Sequence, residues 1–219
     1  MPETISLNLI GRSGSGKGTQ AKLLMKHFDN LFYLATGSLF RDLAEKNTLV
    51  GKKINKIIDE GGLPFDDLAI ALLLHEISYN IKEDQGILFD GATRRIGEAK
   101  VLDSFLAWMG KEKNFHPILI DISREEAFKR LTKRRICKKC SRLIPWVEGF
   151  KELKVCDNCG GELVVREDDN PDSINNRLDF FDQRVMEVVD YYREKGKLIE
   201  IDGEQPIKDV FDDILKALK

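Results

Sequence analysis

The chain has 219 residues, 35 Lys and Arg against 37 Asp and Glu, a net charge of −2 and 42% hydrophobic residues. That describes a globular protein with a sizeable core and argues against a general nucleic-acid binder, which is usually basic overall. No apolar run reaches the length of a bilayer-spanning helix.

The opening "MPETISLNLIGRSG" lacks the basic and apolar regions of a secretory signal, so a cytoplasmic protein is expected. Residues 5–10, "ISLNLI", read as a strand. Residues 16–28 read as a helix, with Ala21, Leu24, Met25 and Phe28 on one face. "LFYLA" (31–35) is a second strand. Helical patterns run on to Glu60, with Ile54, Ile57 and Ile58 as a stripe, and "DDLAIALLLHEISYNI" is a buried helix. "GILFDG" (86–91) is a strand. The next helix carries Ala99, Leu102, Leu106 and Met109, with Trp108 read as core. "HPILIDIS" (116–123) is a strand, and Ser123 with Glu126 is a capping-box signature. After a cysteine-bearing segment, a long helix from about Pro171 carries Leu178, Phe181, Val185, Val188 and Tyr192. "KLIEID" is a fifth strand and a last helix follows. This alternation predicts an α/β fold: a five-stranded parallel sheet with helices on both faces.

The first strand leads into "GRSGSGKGT" (11–19), which fits G-x-x-x-x-G-K. Glycines let backbone N–H groups curl around phosphates, and the following helix adds its N-terminal dipole. Lys17 supplies a point charge for the β- and γ-phosphates. The usual Ser or Thr directly after the lysine is Gly18 here, and Thr19 comes one later. The core is therefore of the P-loop NTPase type.

All 4 cysteines lie in "RRICKKCSRLIPWVEGFKELKVCDNCGGELVVREDDN", as Cys137-x₂-Cys140 and Cys156-x₂-Cys159. The spacing is that of a four-thiolate tetrahedral zinc site, and with no ligand position left open the zinc is structural, one per chain. Six basic residues crowd positions 133–142. A zinc ribbon that grips nucleic acid has this appearance, and so does a metal-stapled enzyme lid.

"GSGKGTQ", "TGSLFR" (36–41), "DGATR" (90–94) and "REDDN" (166–170) together resemble the adenylate kinases, within the nucleoside monophosphate kinases. The resemblance spans residues 5–218, and the insertion resembles the zinc-bearing lid of some bacterial members. It implies a core (1–36, 67–134, 171–219), a monophosphate-binding segment (37–66) and a lid (135–170). It implies the reaction ATP plus a nucleoside monophosphate giving two diphosphates, with Mg²⁺ accompanying ATP. A monomer is implied, without nucleic acid or membrane partners, the basic run then lying at the lid hinge beside ATP.

The resemblance also implies site residues. On the ATP side it points to Gly14, Ser15, Gly16, Lys17, Gly18 and Thr19, to Arg130 and Arg134 before the lid, and to Leu143, Ile144 and Gln205. For the monophosphate it points to Thr36, Arg41, Gly62, Leu63, Pro64, Gly91, Ala92, Thr93, Arg94 and Glu98. Arg166 and Arg177 would clamp the transferring phosphate, completing a catalytic set of Lys17, Arg94, Arg130, Arg134, Arg166 and Arg177. Arginine suits this work because its planar fork binds phosphate oxygens bidentately and stays charged. Asp90, Asp168 and Asp169 would hold magnesium-bound water or orient those arginines.

Departures cluster on the monophosphate side. Ser38 stands for an aspartate, Ala92 and Thr93 for an aromatic and a proline, and Gly62 for a lysine. Gln205 takes a lysine position on the ATP side. Glu98 stands where a glutamine reads adenine. An ionised carboxylate offers acceptors only, which suit the two donors of guanine better than adenine. AMP is the expected acceptor, with GMP or broad specificity as the alternative. A nucleotide sensor without turnover and a zinc-ribbon, nucleic-acid-binding P-loop ATPase are the rival classes.

Overall fold

The computed structural model describes residues 4–59, 65–147, 149–166 and 169–219. Strands β1 (Ser6–Ile10), β2 (Leu31–Ala35), β3 (Gly86–Asp90), β4 (Phe115–Asp121) and β8 (Ile199–Asp202) form one sheet in the order β2-β3-β1-β4-β8. Every neighbouring pair is parallel. Side chains alternate between two buried faces, which is why the strands read as nearly continuous apolar runs. Leu7 and Leu9 face α1 (Lys17–His27) and α9 (Ile207–Ala217). Ile10, Ile87 and Phe89 face α4 (Asp66–Asn80), α5 (Ile96–Trp108) and α8 (Met186–Glu194). Between β2 and β3, α2 (Thr36–Ala44) and α3 (Leu49–Asp59) pack with α4 around Phe40, Ile54 and Ala69.

The chain leaves β1 for β2 on one side, and later places β4 on the other side of β1. A crevice therefore opens beyond the carboxyl end of β1, the usual ligand position in such sheets. The loop at residues 11–16 lies there. Gly14 (φ 86°) and Gly16 (φ 100°) take left-handed backbone that a side chain would strain.

After α6 (Arg124–Thr132), the chain forms a second sheet from β5 (Arg135–Cys137), β6 (Leu143–Ile144) and β7 (Leu163–Val165), antiparallel in the order β6-β5-β7. It returns through α7 (Pro171–Phe180), which continues as a π-helical turn, Phe181–Val185, into α8. Ile122, Ala127 and Leu131 pack against Ile174 and Leu178, joining α6 to α7 at the root of the insertion.

Three expectations change. Trp108 is not core: it is 80% exposed and stacks on Phe105. It stands two residues past buried Leu106, about 200° around the helix. Strand β4 ends at Asp121 rather than 123, because Ser123 is the N-cap of α6, its Oγ accepting the Glu126 N–H. The capping box is only half formed. The Ser123 N–H donates to Glu204, and the Glu126 carboxylate pairs with Lys129 and Arg130 instead.

Candidate active site

A cleft of about 640 Å³ runs along the carboxyl edge of the sheet, a size suited to small-molecule ligands. Gly11 and residues 13–19 line one wall. Lys17 Nζ donates to the carbonyl oxygens of Gly11 and Arg12, at 2.7 and 2.8 Å. Enclosure by the loop strips water from this amine and lowers its pKa to about 8, with Asp90 opposing and the charges of Arg94 and Arg134 adding to the fall. A phosphate chain in the loop would supply the missing negative charge. Gly18 has a local reason. A Cβ there would stand 3.4 Å from Asp90 Oδ2, so its absence gives the carboxylate room beside the start of α1.

Arg134 and Arg177 converge on one carboxylate. Arg134 donates from Nε and Nη2 to Asp169, at 2.8 and 2.7 Å, and Arg177 Nη2 donates to Asp169 Oδ1 at 2.7 Å. The Asp169 side chain is fully buried. Two cations on one buried acid leave an excess positive charge, and all three side chains are fixed by charge-assisted bonds. Arg130 is buried and donates to Glu126 and to the Gly203 carbonyl. Arg41, Arg94 and Arg166 also line the cleft. Burial lowers the Arg94 pKa, against the charges of Glu98 and Asp90.

At the other end, the Thr36 hydroxyl donates to the Gly91 carbonyl at 3.0 Å, and the Arg41 guanidinium donates to Ser38 Oγ. Ser38 is therefore committed to Arg41. A small side pocket is lined by Thr36, Phe40, Ala92, Arg94, Glu98 and Phe180. Glu98 is 6% exposed. Its Oε2 accepts the N–H groups of Arg94 and Arg95, at 2.6 and 3.1 Å. Burial raises its pKa, while those two bonds and the neighbouring arginine charges hold it down. One oxygen thus caps α5.

Of the other expected residues, Thr19, Gly91, Thr93 and Leu143 line the cleft. Gln205 does too, but its side chain is tied to the Asp202 carbonyl and to Asp213, leaving its backbone for a ligand. Ile144 follows Leu143 in β6. It pairs with Arg135 in β6 and its side chain is buried in the small sheet, while Pro145 and Trp146 reach the cleft. Gly62, Leu63, Pro64 and Asp168 lie outside the described residues.

The four Sγ atoms of Cys137, Cys140, Cys156 and Cys159 lie within 4.8 Å of one another, with 3.5 Å between Cys137 and Cys159 and 3.7 Å between Cys140 and Cys156. Four thiolates about 2.3 Å from a tetrahedral metal would be about 3.8 Å apart, so the donor set fits a zinc-sized ion. The two Cys-x-x-Cys turns are built alike. Ser141 and Gly160 each take positive φ and donate back to the carbonyls of Cys137 and Cys156. The cysteine N–H groups donate to Arg142 and Gly161. A Cβ on Gly161 would stand 2.7 Å from Cys137 Sγ.

The basic run has internal work. Arg134 holds Asp169, Lys138 pairs with Glu162 and Arg142 with Asp157. Arg135 donates to the carbonyls of Phe150, Lys151 and Leu153, and Lys133 lies over the Trp146 ring. These cations are spent on the fold of the insertion or on the cleft.

Comparison with known proteins agrees with this geometry. The profile of the family described as adenylate kinase matches residues 9–197. An adenylate kinase of Clostridium acetobutylicum is 40% identical over 218 residues, covering 96% of this chain and 97% of its own. One from Carboxydothermus hydrogenoformans is 38% identical, over 98% and 100% of the two chains. One from Methanocella arvoryzae is 38% identical, over 96% and 97%. The chain belongs to the adenylate kinase family.

Within that family frame, Tyr33 and Phe181 are among the cleft side chains that the motifs do not point to. Tyr33, in the middle of β2, lines the cleft and donates its hydroxyl to Asp90 Oδ2 at 3.1 Å. Burial and the Asp90 charge raise its pKa, so it stays a donor. Phe181 also lines the cleft, as part of the π-helical turn. Trp146 lies at the cleft with Lys133 and Arg135 over its ring.

The depressed pKa of Lys17 has a sign that can be tested. Between about pH 8 and 10.5 the unfolded chain holds this proton and the folded chain does not, so rising pH favours the folded state through this group. The stability of the parent relative to Lys17→Met is expected to rise across that window in denaturant melts. A constant or falling difference would show that the amine is not desolvated.

Proposed function

We propose that this chain transfers the γ-phosphoryl group of ATP to AMP, giving two molecules of ADP. The observation that carries the reading is the single cleft in which the phosphate loop of Lys17, the Arg134–Asp169–Arg177 clamp and the pair Arg41 and Arg94 come together. Family membership supports the same reaction class. Phosphoryl transfer needs no covalent intermediate. It needs the attacking monophosphate oxygen held in line with the leaving ADP, charge stabilisation on the moving group, and exclusion of water.

In this reading the loop amides and Lys17 hold the β- and γ-phosphates of ATP. Arg41 and Arg94 hold the α-phosphate of AMP. Arg134, Arg166 and Arg177 stabilise the transferring group, and Arg130 forms the floor near Gly203 and Gln205. Asp169, saturated by two guanidinium groups, orients them rather than binding metal. Asp90, beside Gly18 and held by Tyr33, fits the role of holding magnesium-bound water. Mg²⁺ bound with ATP would neutralise phosphate charge. The segments 37–66 and 135–170 act as the moving parts that exclude water, the second stapled by one structural zinc. One chain supplies the whole cleft, so a monomer suffices. Cytoplasmic location follows from the same family reading and from thiols arranged for metal.

The acceptor is tested by supplying ATP with AMP, GMP, CMP or UMP and scoring ADP above an ATP-only blank. AMP is expected to be the best acceptor. Glu98→Gln keeps an acceptor for the N–H groups of Arg94 and Arg95 and adds a donor for adenine N1. It should raise the AMP-to-GMP ratio of kcat/KM by about 10-fold or more. No monophosphate-dependent ADP would overturn the function, and an unchanged ratio would remove Glu98 from base reading. Metal analysis of protein purified without chelator should find about one zinc per chain. Cys156→Ser should lower Tm yet keep activity at low temperature, since no thiolate touches substrate. Chain purified free of metal with an unchanged Tm would contradict the structural role.

A further inference from the structure

Arg12 sits inside the phosphate loop, but its guanidinium turns toward Asp121 and Asp182. Nη1 donates to Asp121 Oδ1 at 3.0 Å and to the Ile122 carbonyl at 2.9 Å, both at the end of β4. Nη2 donates to Asp182 Oδ1 at 2.7 Å, in the π-helical turn that continues α7. The guanidinium lies over the Phe181 ring, 4.5 Å from its centroid, and Phe181 lines the cleft. The Arg12 side chain is 16% exposed, whereas its acid partners Asp121 and Asp182 are 58% and 37% exposed. Its own carbonyl accepts from Lys17 Nζ. One residue therefore touches the lysine of the loop through its backbone and the continuation of the Arg177 helix through its side chain.

We propose that Arg12 is a positioning residue, a brace that sets the phosphate loop and Lys17 against the helix carrying Arg177. The proposal rests on the reading above, in which Lys17 and Arg177 act on opposite parts of one polyphosphate. Two cations on separate elements stabilise a transferring group only if their separation is fixed. Displacements of about 1 Å in such arrangements cost about 100-fold in rate. The Arg177 helix reaches Asp182 within the same continuous helix, five residues on. Arg177 itself, in the last turn of α7, is held by Asp169. The brace ties this helix to the loop at a point the substrates do not occupy. Its loss should then act on the transition state rather than on substrate binding.

Asp182 also accepts from Arg124 Nη1, at 3.0 Å, which separates the brace from the wider ion network. Arg12→Met keeps an apolar stem for Phe181 and removes the fork. Arg124→Met removes the second partner of Asp182, together with the Arg124 contacts to Asp179 and Asn175, and leaves the Arg12–Asp182 pair in place. Steady-state kinetics with ATP and AMP, and Tm, are measured for both, together with Asp182→Asn, the double variant Arg12→Met with Asp182→Asn, and Lys17→Met as reference. Arg12→Met is expected to lower kcat about 10-fold with both KM values within about 3-fold of the parent. Asp182→Asn should lower kcat similarly, the double variant should fall no further than the worse single one, and Arg124→Met should stay within about 2-fold of the parent. The brace is overturned if Arg12→Met keeps parental kcat, changes only KM or Tm, multiplies with Asp182→Asn, or is matched by Arg124→Met. If Arg12→Met does not fold, Asp182→Asn against Arg124→Met gives the same decision. Retained activity in Lys17→Met would overturn the site reading itself, and the brace with it.

Discussion

A buried carboxylate with two guanidinium partners sets the geometry of the cleft. Asp169 follows the small sheet, Arg134 precedes it and Arg177 lies on the helix beyond. The Asp169–Arg134 contact spans 35 residues and closes the insertion at its root, where Leu131 and Ile174 also meet. Without the acid, two guanidinium groups at this spacing would repel in a region of reduced dielectric. With it, both are held where a phosphate would need them. Burying such a charge is costly unless its bonds are complete, and the three bonds on Asp169 meet that condition.

The remaining charge follows from this arrangement. Lys17, Arg41, Arg94 and Arg166 face the same cleft, and Asp90 lies beside Gly18 in it. Burial lowers the pKa of Lys17, and the charges of Arg94 and Arg134 add to the fall against Asp90. A cleft of this kind favours polyphosphates by its field as well as by contact. The insertion solves a different problem. Strands of two or three residues make too little core to stand alone, so the four-thiolate cluster and the carbonyl bonds of Arg135 hold the loop between them.

Much of this was legible in the sequence because short spacings encode it. The glycines of residues 11–18 must take particular backbone shapes, and two Cys-x-x-Cys pairs must meet around one centre. The alternation of strand and helix gave the sheet, and the motif arginines lie in or beside one cleft. What stayed hidden depends on contacts between distant elements. Trp108 has the apolarity of a core residue, but only helix phase shows that it faces outward. Glu98 reads as a base contact, yet half its capacity is used on the backbone of its own helix start. The resemblance implies Ile144 on the ATP side, and strand alternation turns its side chain into the small sheet. Arg12 and Tyr33 find their partners 170 and 57 residues away, and no local pattern reports such distances.

The central claim is that Asp169 positions Arg134 and Arg177 for phosphoryl transfer. Asp169→Asn tests it most directly, since it keeps the shape and removes the charge that holds the pair. Single-turnover rates of phosphoryl transfer, measured with saturating ATP and AMP at a temperature where the variant is folded, should fall by about 100-fold or more. A rate within about twofold of the parent, with the fold intact, would contradict the account, because the two arginines would then be placed without their shared acid.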